Sequence, residues 1–333
     1  MKKLENFTVA MASSPCSSSS NPSVLVLSVL LFLLLAPLSL SRKTPSLPAI
    51  PDILSHGGSV FNGTLDLSLL WYGRFTSSQK DRIHDFIESL NFNAKEGLDP
   101  KVSKWWRVVE SYQIAGKISD GVAPRIPVKV TRSYADEEMK YGKELTSESI
   151  EKLVETATAG GGDNNSGVVP VIMVSWDVKV EGFCNTTCQR HELIGEKQAY
   201  IVVSNPEVEC PGTCAWPFHT ADKGPHGMTY QPPSGDLGAD AMVLQLATAM
   251  ANYVTNPTLT GFFFTPESSD DGVVEVATAC PGIFGSGAFP GFTGKIRIDP
   301  ATGGAFNAHG VKHLKFLVPA LWNPKTSSCW TPM

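Results

Sequence analysis

Charge is scarce in this chain. Asp, Glu, Lys and Arg make up 18% of its 333 residues, against about a quarter in an ordinary globular protein. Neither sign runs far ahead: 27 Lys and Arg stand against 32 Asp and Glu, a formal net charge of −5. Without a basic surplus there is nothing to neutralise phosphates, so nucleic acid is excluded as an expected partner. The usual catalytic signatures are missing too. There is no G-x-S-x-G elbow, no H-E-x-x-H and no Walker A loop. No cofactor and no metal are expected. What the chain lacks in charge it makes up in turn formers. The 29 glycines and 24 prolines are about one residue in six, above the usual share of about 12%. The hydrophobic share of 42% is too high for a disordered chain and sufficient for a core.

The N-terminus indicates the compartment. Val24 to Leu35 read VLVLSVLLFLLL, a run of 12 with one serine, and Ser39 and Ser41 follow in cleavage-site spacing. A spanning helix needs roughly 20 apolar residues, a secretory leader about 7–15. Residues 1–41 are therefore read as a signal peptide, starting at Met1 or Met11, with no stable membrane anchor. The mature chain would keep six cysteines: Cys184, Cys188, Cys210, Cys214, Cys280 and Cys329. An even number in an exported chain reads as bridges, with 15 possible pairings. The reading adopted joins Cys184 to Cys188, Cys210 to Cys214 across a Pro211-Gly212 turn, and Cys280 to Cys329. A zinc knuckle would need thiolates, which an oxidising compartment removes. Three N-x-[ST] sequons, at Asn62, Asn164 and Asn185, are candidate glycan sites.

Periodicity sets out the body. Residues 42–60, with Pro45, Pro48, Pro51 and Gly57-Gly58, read as an extended arm before a single domain at 61–333. Asp66–Gly73 predicts a buried strand. Thr76-x-x-Gln79 has capping-box form, and Ile83, Phe86, Ile87 and Leu90 follow as one helical face. A helix at Lys101–Tyr112 carries Trp105 and Trp106 inward. Ile126–Tyr134 predicts a strand. A helix capped near Thr146 or Ser147 presents Ile150, Leu153, Val154 and Ala157. Val168–Trp176 and Tyr200–Ser204 predict further strands, with Pro170 marking a start or an irregularity. Asp240–Val254 is an apolar helix stopped by Asn256-Pro257. The expected fold class is α/β: a mixed, mostly covered sheet with flanking helices and a Gly/Pro-rich, disulfide-pinned C-terminal region.

Candidate chemistry is thin. His309 and His313 could share a helix face as metal ligands, but a Gly-rich turn precedes them. His191-Glu192 imitates half of a zinc-protease motif, yet Gly195 stands where a second ligand belongs. Asp163, Asp177, Asp240, Asp270, Asp271 and Asp299 are available carboxylates for glycoside hydrolysis, which needs two of them about 5–10 Å apart. Trp216, Phe218 and His219, opening the excursion Trp216–Gly238, are the candidate ligand contacts.

Longer stretches resemble a known family. Glu209–His219 (ECPGTCAWPFH), Gly238–Pro257 (GADAMVLQLATAMANYVTNP), Ala279–Ile296 (ACPGIFGSGAFPGFTGKI) and Phe316–Cys329 (FLVPALWNPKTSSC) resemble the plant EXORDIUM / phosphate-induced protein 1 family. Leu70–Ile87 and Ser103–Tyr112 resemble its N-terminal half. The resemblance implies secretion to the apoplast or cell wall and a part in cell expansion and in brassinosteroid- or carbon-status-dependent growth. It carries over no catalytic residue; with no conventional nucleophile, metal or cofactor motif in an exported chain, the expectation is non-catalytic binding, with a wall glycan or an apoplastic or receptor protein as partner. Asn185-Thr-Thr187 departs from the small Gly-containing insert expected there. The helix ending at Pro257 also resembles zincin helices that end in E-A-x-T-D-P, but Thr248-Ala249 occupies the place of their His-Glu pair and Asn252 that of the second acid. That comparison implies a zincin-like scaffold without metal ligands.

Overall fold

The computed structural model describes residues 52–92, 98–115, 121, 123–159, 167–185, 187–195, 198–222, 228–266, 272–289 and 292–332. The expected leader, the sequon at Asn164 and the carboxylates Asp163, Asp270 and Asp271 lie outside the described residues.

Five strands make the main sheet: β1 (Leu65–Tyr72), β2 (Val128–Asp136), β3 (Val168–Val174), β4 (Gln189–Ile194) and β5 (Gln198–Ser204). Their order is β2-β1-β3-β5-β4. All neighbours are parallel except β4, which runs antiparallel along β5 at the edge. Parallel neighbours need long crossovers; the one from β3 to β5 runs through β4, and those leading into β2 and β3 are made by helices. These are α1 (Ser77–Asn91), α2 (Val102–Glu110) and α3 (Ser147–Thr158), followed after the sheet by α4 (Leu237–Thr255).

Side chains alternate across each strand, so one strand feeds two cores. From β1, Leu65, Leu67, Leu69 and Trp71 pack with Ile83, Phe86 and Leu90 of α1, Trp105 and Trp106 of α2, and Met242, Leu246 and Met250 of α4. Leu70 and Tyr72 point the other way, onto Ile150, Leu153, Val154 and Ala157 of α3. The sheet is thus mixed and covered on both faces. Helix starts follow local chemistry. Thr76 and Gln79 form a reciprocal capping box on α1, Thr146 caps α3, and Asp236 caps α4 through Ala239 N at 2.8 Å. Pro170 sits within β3 but precedes Val171–Val174, the stretch paired with β5, so that ladder is proline-free.

All described residues belong to one compact unit, Leu47–Met333. Within the stretch expected to be an extended arm, Leu54–Ser55 pairs antiparallel with Phe262–Phe263, and Ile53 is buried. Beyond α4 the chain uses strands of two or three residues, as its Gly/Pro content requires. Strand β4, absent from the periodicity reading, arises from Gln189–Ile194, where only a histidine motif had stood out.

Two expected bridges need correction. Cys184 pairs with Cys210 and Cys188 with Cys214, not Cys184 with Cys188 or Cys210 with Cys214. The reason is geometric. Pro211–Cys214 is one helical turn, on which positions four apart hold their Cβ atoms about 5–6 Å apart. A bridge needs about 3.5–4.5 Å. Both cysteines of the turn therefore reach across to the facing segment, where Cys184 N–H donates to Thr187 O at 3.0 Å. The third bridge joins Cys280 to Cys329 and ties the last strand, Ser328–Trp330, back to the body.

Candidate functional site

A cleft of about 580 Å³ opens beside α4. Leu244, Gln245 and Thr248 of that helix form one wall, and Thr278–Phe284 the opposite one. Gln189 at the start of β4 and the Cys188–Cys214 bridge close one end, with Trp216 beside them. Cys280, held by its own bridge to Cys329, also lines the cleft, so two of the three bridges fix its walls. Among the described residues, none of the lining is Asp, Glu, Lys, Arg or His.

Trp216 is positioned by close packing. Its ring lies 5.7 Å from that of Phe284, and Gly282, with φ +72°, leaves room for it where a Cβ would stand 3.3 Å away. Three polar atoms of lining residues are buried without a partner: Gln189 Oε1, Gln245 Oε1 and Trp216 Nε1. Gln245 is 5% exposed, and its Nε2 donates to Cys214 O at 3.0 Å. That bond fixes the amide so that the oxygen is the free end. The lining threonines are partly committed: Thr248 Oγ1 donates to Leu244 O at 2.9 Å and Thr213 Oγ1 to Asp222 Oδ2 at 3.2 Å.

The candidate contacts part company here. Trp216 lines the cleft, whereas Phe218 is buried with Ala215, Ala241, Leu244, Phe284 and Leu317. His219 is exposed and its Nδ1 lies 3.1 Å from Thr220 O, away from the lining. Sequence reading missed Gln189 and Gln245; the one available signal was a glutamine inside an otherwise apolar helix. Of the sequons, Asn62 and Asn185 are exposed.

The motifs that imitated metal sites are dispersed by secondary structure. His191-Glu192 lies on β4, where successive side chains face opposite ways. His191 Nε2 meets Glu275 Oε1 at 2.9 Å, and Asn256 Nδ2 donates to the same oxygen at 2.7 Å. Tyr253, ring to ring with His191 at 6.2 Å, has its hydroxyl pKa pushed up to about 12 by burial. Glu192 instead accepts from Tyr200 on the other face. His309 and His313 share no helix: one sits on a short strand, the other in a tight turn, with Lys101 and Lys312 around the same small cavity. On α4, Thr248 and Ala249 hold no metal-ligating group, and Asn252 Oδ1 accepts from Ala277 N at 2.8 Å. Among the described residues, one cluster has metal-ligand spacing, the Sγ atoms of Cys184, Cys210 and Cys214, and all three are in bridges.

The described carboxylates are occupied elsewhere. Asp177 accepts from Lys143 at 2.7 Å, which holds its pKa below the usual aspartate range. Asp299 is paired with Lys315 at 2.6 Å, and Asp240 is buried against Arg82. No two of them share the cleft.

Among the described residues, no helix is long and apolar enough to cross a membrane. Residues 53–332 match the family model for the phosphate-induced protein 1 conserved region. Protein EXORDIUM-like 6 of Arabidopsis thaliana is 60% identical over 331 residues, covering 91% of this chain and 95% of the relative. Protein EXORDIUM of the same plant is 37% identical, covering 92% and 99%. Protein PHOSPHATE-INDUCED 1 of Nicotiana tabacum is 35% identical, covering 87% and 92%. No solved structure matches. The chain belongs to the EXORDIUM / phosphate-induced protein 1 family.

Proposed function

We propose that this protein is exported to the plant apoplast or cell wall and acts there by binding, without catalysis, in the control of cell expansion and of brassinosteroid- or carbon-status-dependent growth. The observation that carries the binding reading is the cleft: a disulfide-framed pocket with no Asp, Glu, Lys, Arg or His among the described residues of its lining. General acid–base and nucleophilic chemistry need such groups within hydrogen-bond reach. Three bridges support the oxidising compartment. The growth role rests on the family alone. Exposed Asn62 and Asn185 are the sequons we expect to carry glycans. The wall glycan or apoplastic protein bound is the expected partner.

The scaffold is also read as zincin-like with its metal site absent. A five-stranded mixed sheet with an antiparallel edge and a long helix following it supports that reading. The test of the non-catalytic reading is direct. Purified protein incubated with wall polysaccharides and peptides should release no product by chromatography; sustained release would overturn it. The export reading predicts that protein from plant tissue begins at or near Arg42; an intact Met1 or Met11 would instead indicate a retained leader.

A further inference from the structure

The carboxyl end of the main sheet carries an exposed tryptophan. Strands β1, β2, β3 and β5 are parallel, so their last residues, Tyr72, Asp136, Val174 and Ser204, lie at one end of the sheet. The chain order reverses between β1 and β3. On one side of β1 lies β2, reached past α1 and α2; on the other lies β3, reached past α3 on the opposite face. Ligand sites of open α/β sheets sit outside the carboxyl ends at such a reversal. Trp176 stands there, two residues beyond β3, and is 47% exposed. Its side chain makes no hydrogen bond or ring contact among the described residues. The loops that follow these strands, 73–76, 137–146, 175–181 and 205–209, are described throughout, and none of their residues lines the cleft.

These loops form one surface. The Tyr72 hydroxyl donates to Gly142 O at 2.7 Å, Glu144–Leu145 pairs with Lys179–Val180, and Lys179 reaches Glu209 at 3.6 Å. The crevice between β1 and β3 is filled, because Ser175 Oγ packs where a Cβ on Gly73 would stand. What remains is a face for a macromolecule rather than a pocket for a small ligand. Its charge is one-sided. With Asp136, the loops hold eight carboxylates against four cationic side chains. Asp177 takes Lys143 and Glu209 takes Lys179. Glu137, Glu138, Glu144 and Glu207 are exposed and pair with no cation among the described residues.

We propose that this end of the sheet, around Trp176, docks a basic segment of another protein, rich in lysine or arginine. The site is apart from the cleft, and the inference goes beyond the reading above. A cationic side chain stacks on an indole face by cation–π attraction, and its neighbours in the segment meet the free carboxylates. The same surplus steers polyanions away. The aliphatic stem of a lysine or arginine also covers apolar surface, here Trp176 and Val208, which is 59% exposed. Tryptophan is among the residues that dominate protein interfaces. The backbone beside it is fixed beforehand: Asp177 accepts from Ser175 Oγ and from Lys143 Nζ, each at 2.7 Å, which limits the ordering cost of docking.

The experiment is fluorescence and calorimetric titration of the disulfide-intact protein, in low salt, with a synthetic peptide of alternating lysine and serine. A glutamate–serine peptide of equal length and cellohexaose are the comparisons. The lysine peptide should bind and shift the tryptophan emission, and the glutamate peptide should bind at least about tenfold more weakly. Raising salt from about 10 to about 150 mM shortens the screening length from about 30 to about 8 Å and should weaken binding. Trp176→Ala should abolish the emission shift and weaken binding about tenfold. Glu137→Gln with Glu138→Gln should weaken binding and flatten its salt dependence. Glu88→Gln with Glu155→Gln makes the same change in net charge at the exposed last turns of α1 and α3, and should leave binding unchanged. The proposal is overturned if the lysine peptide does not bind in low salt, if the two paired variants weaken it equally, or if Trp176→Ala and the Glu137/Glu138 variant both bind normally. A Trp176 emission shift with cellohexaose but not with the lysine peptide would assign the surface to a glycan and overturn it likewise. None of these outcomes involves the cleft, whose non-catalytic reading is tested separately by product release.

Discussion

Arg82 and Asp240 show how individual residues hold this molecule together. Their side chains are 6% and 2% exposed, with Arg82 Nη2 2.6 Å from Asp240 Oδ1. Ser234 adds its N–H and hydroxyl to the other carboxylate oxygen, each at 2.7 Å. Burial raises the Asp240 pKa and the guanidinium opposes that rise. Removing one member of such a pair strands the other charge, so Arg82→Met should cost about 3–5 kcal/mol in urea unfolding. Adding Asp240→Leu should recover much of the loss. A single-variant cost under about 1 kcal/mol would contradict the pair's burial. His309 gives the pH dependence. It is 6% exposed, its Nδ1 has no partner, and burial followed by the nearby Arg297 and Lys315 lowers its pKa. In the unfolded chain the imidazole titrates near its ordinary value of about 6.5. Between that value and the depressed native one, the unfolded state binds more protons. Stability is therefore full above about pH 6.5 and lost as pH falls below it. Melting temperatures from pH 7.5 to 5 should decline, and His309→Gln should flatten the slope; an equal slope in the variant would remove His309 as its source.

Helix α4 shows what an element owes to its ends and what it owes to its surroundings. It is buried nearly all round, from Gly238 to Thr255 with Thr248 the half-buried exception, so core packing rather than an amphipathic face holds it. Its start depends on Asp236, which accepts from Ala239 N at 2.8 Å. Asp236→Ala should cost about 1 kcal/mol in thermal or urea unfolding, and Asp236→Ser much less. Such ends were legible in the sequence. Thr76 with Gln79 and the stripe Ile83, Phe86, Ile87 and Leu90 are signals within one or two turns, and local geometry decides them. Strand β4 was not legible, because an edge strand with half-buried residues such as Gln189, Arg190 and Glu192 has no clean alternation. The cleft was legible only at Trp216. Gln189, Gln245 and Gly282 lie far apart in the chain and are assembled by tertiary packing, for which a single sequence carries no local sign. Phe218 failed as a contact for the same reason: aromatic content does not say which side of a loop turns inward.

At the scale of the whole molecule, three bridges lock down the part of the chain that has least regular structure. Cys280 and Cys329 are 49 residues apart in sequence and join the cleft wall to the last strand. Cys280→Ser should lower stability by about 2–5 kcal/mol, read by urea unfolding without reductant. An unchanged midpoint would mean that the bridge does not form in solution. Peptide mapping under non-reducing conditions should recover Cys184 linked to Cys210 and Cys188 to Cys214; peptides closed within either C-x₃-C segment would refute the observed pairing. The positions of those sulfurs have one more effect. Cys184, Cys210 and Cys214 Sγ all lie within 4.8 Å of one another. If the Cys188–Cys214 bond is reduced, the freed Cys214 thiolate is within reach of Cys184 Sγ and can displace Cys210 from it, leaving a new thiolate on Cys210. A partly reduced molecule is then a mixture of interconverting isomers, and an alkylating trap will mark several cysteines where a rigid pairing would offer two.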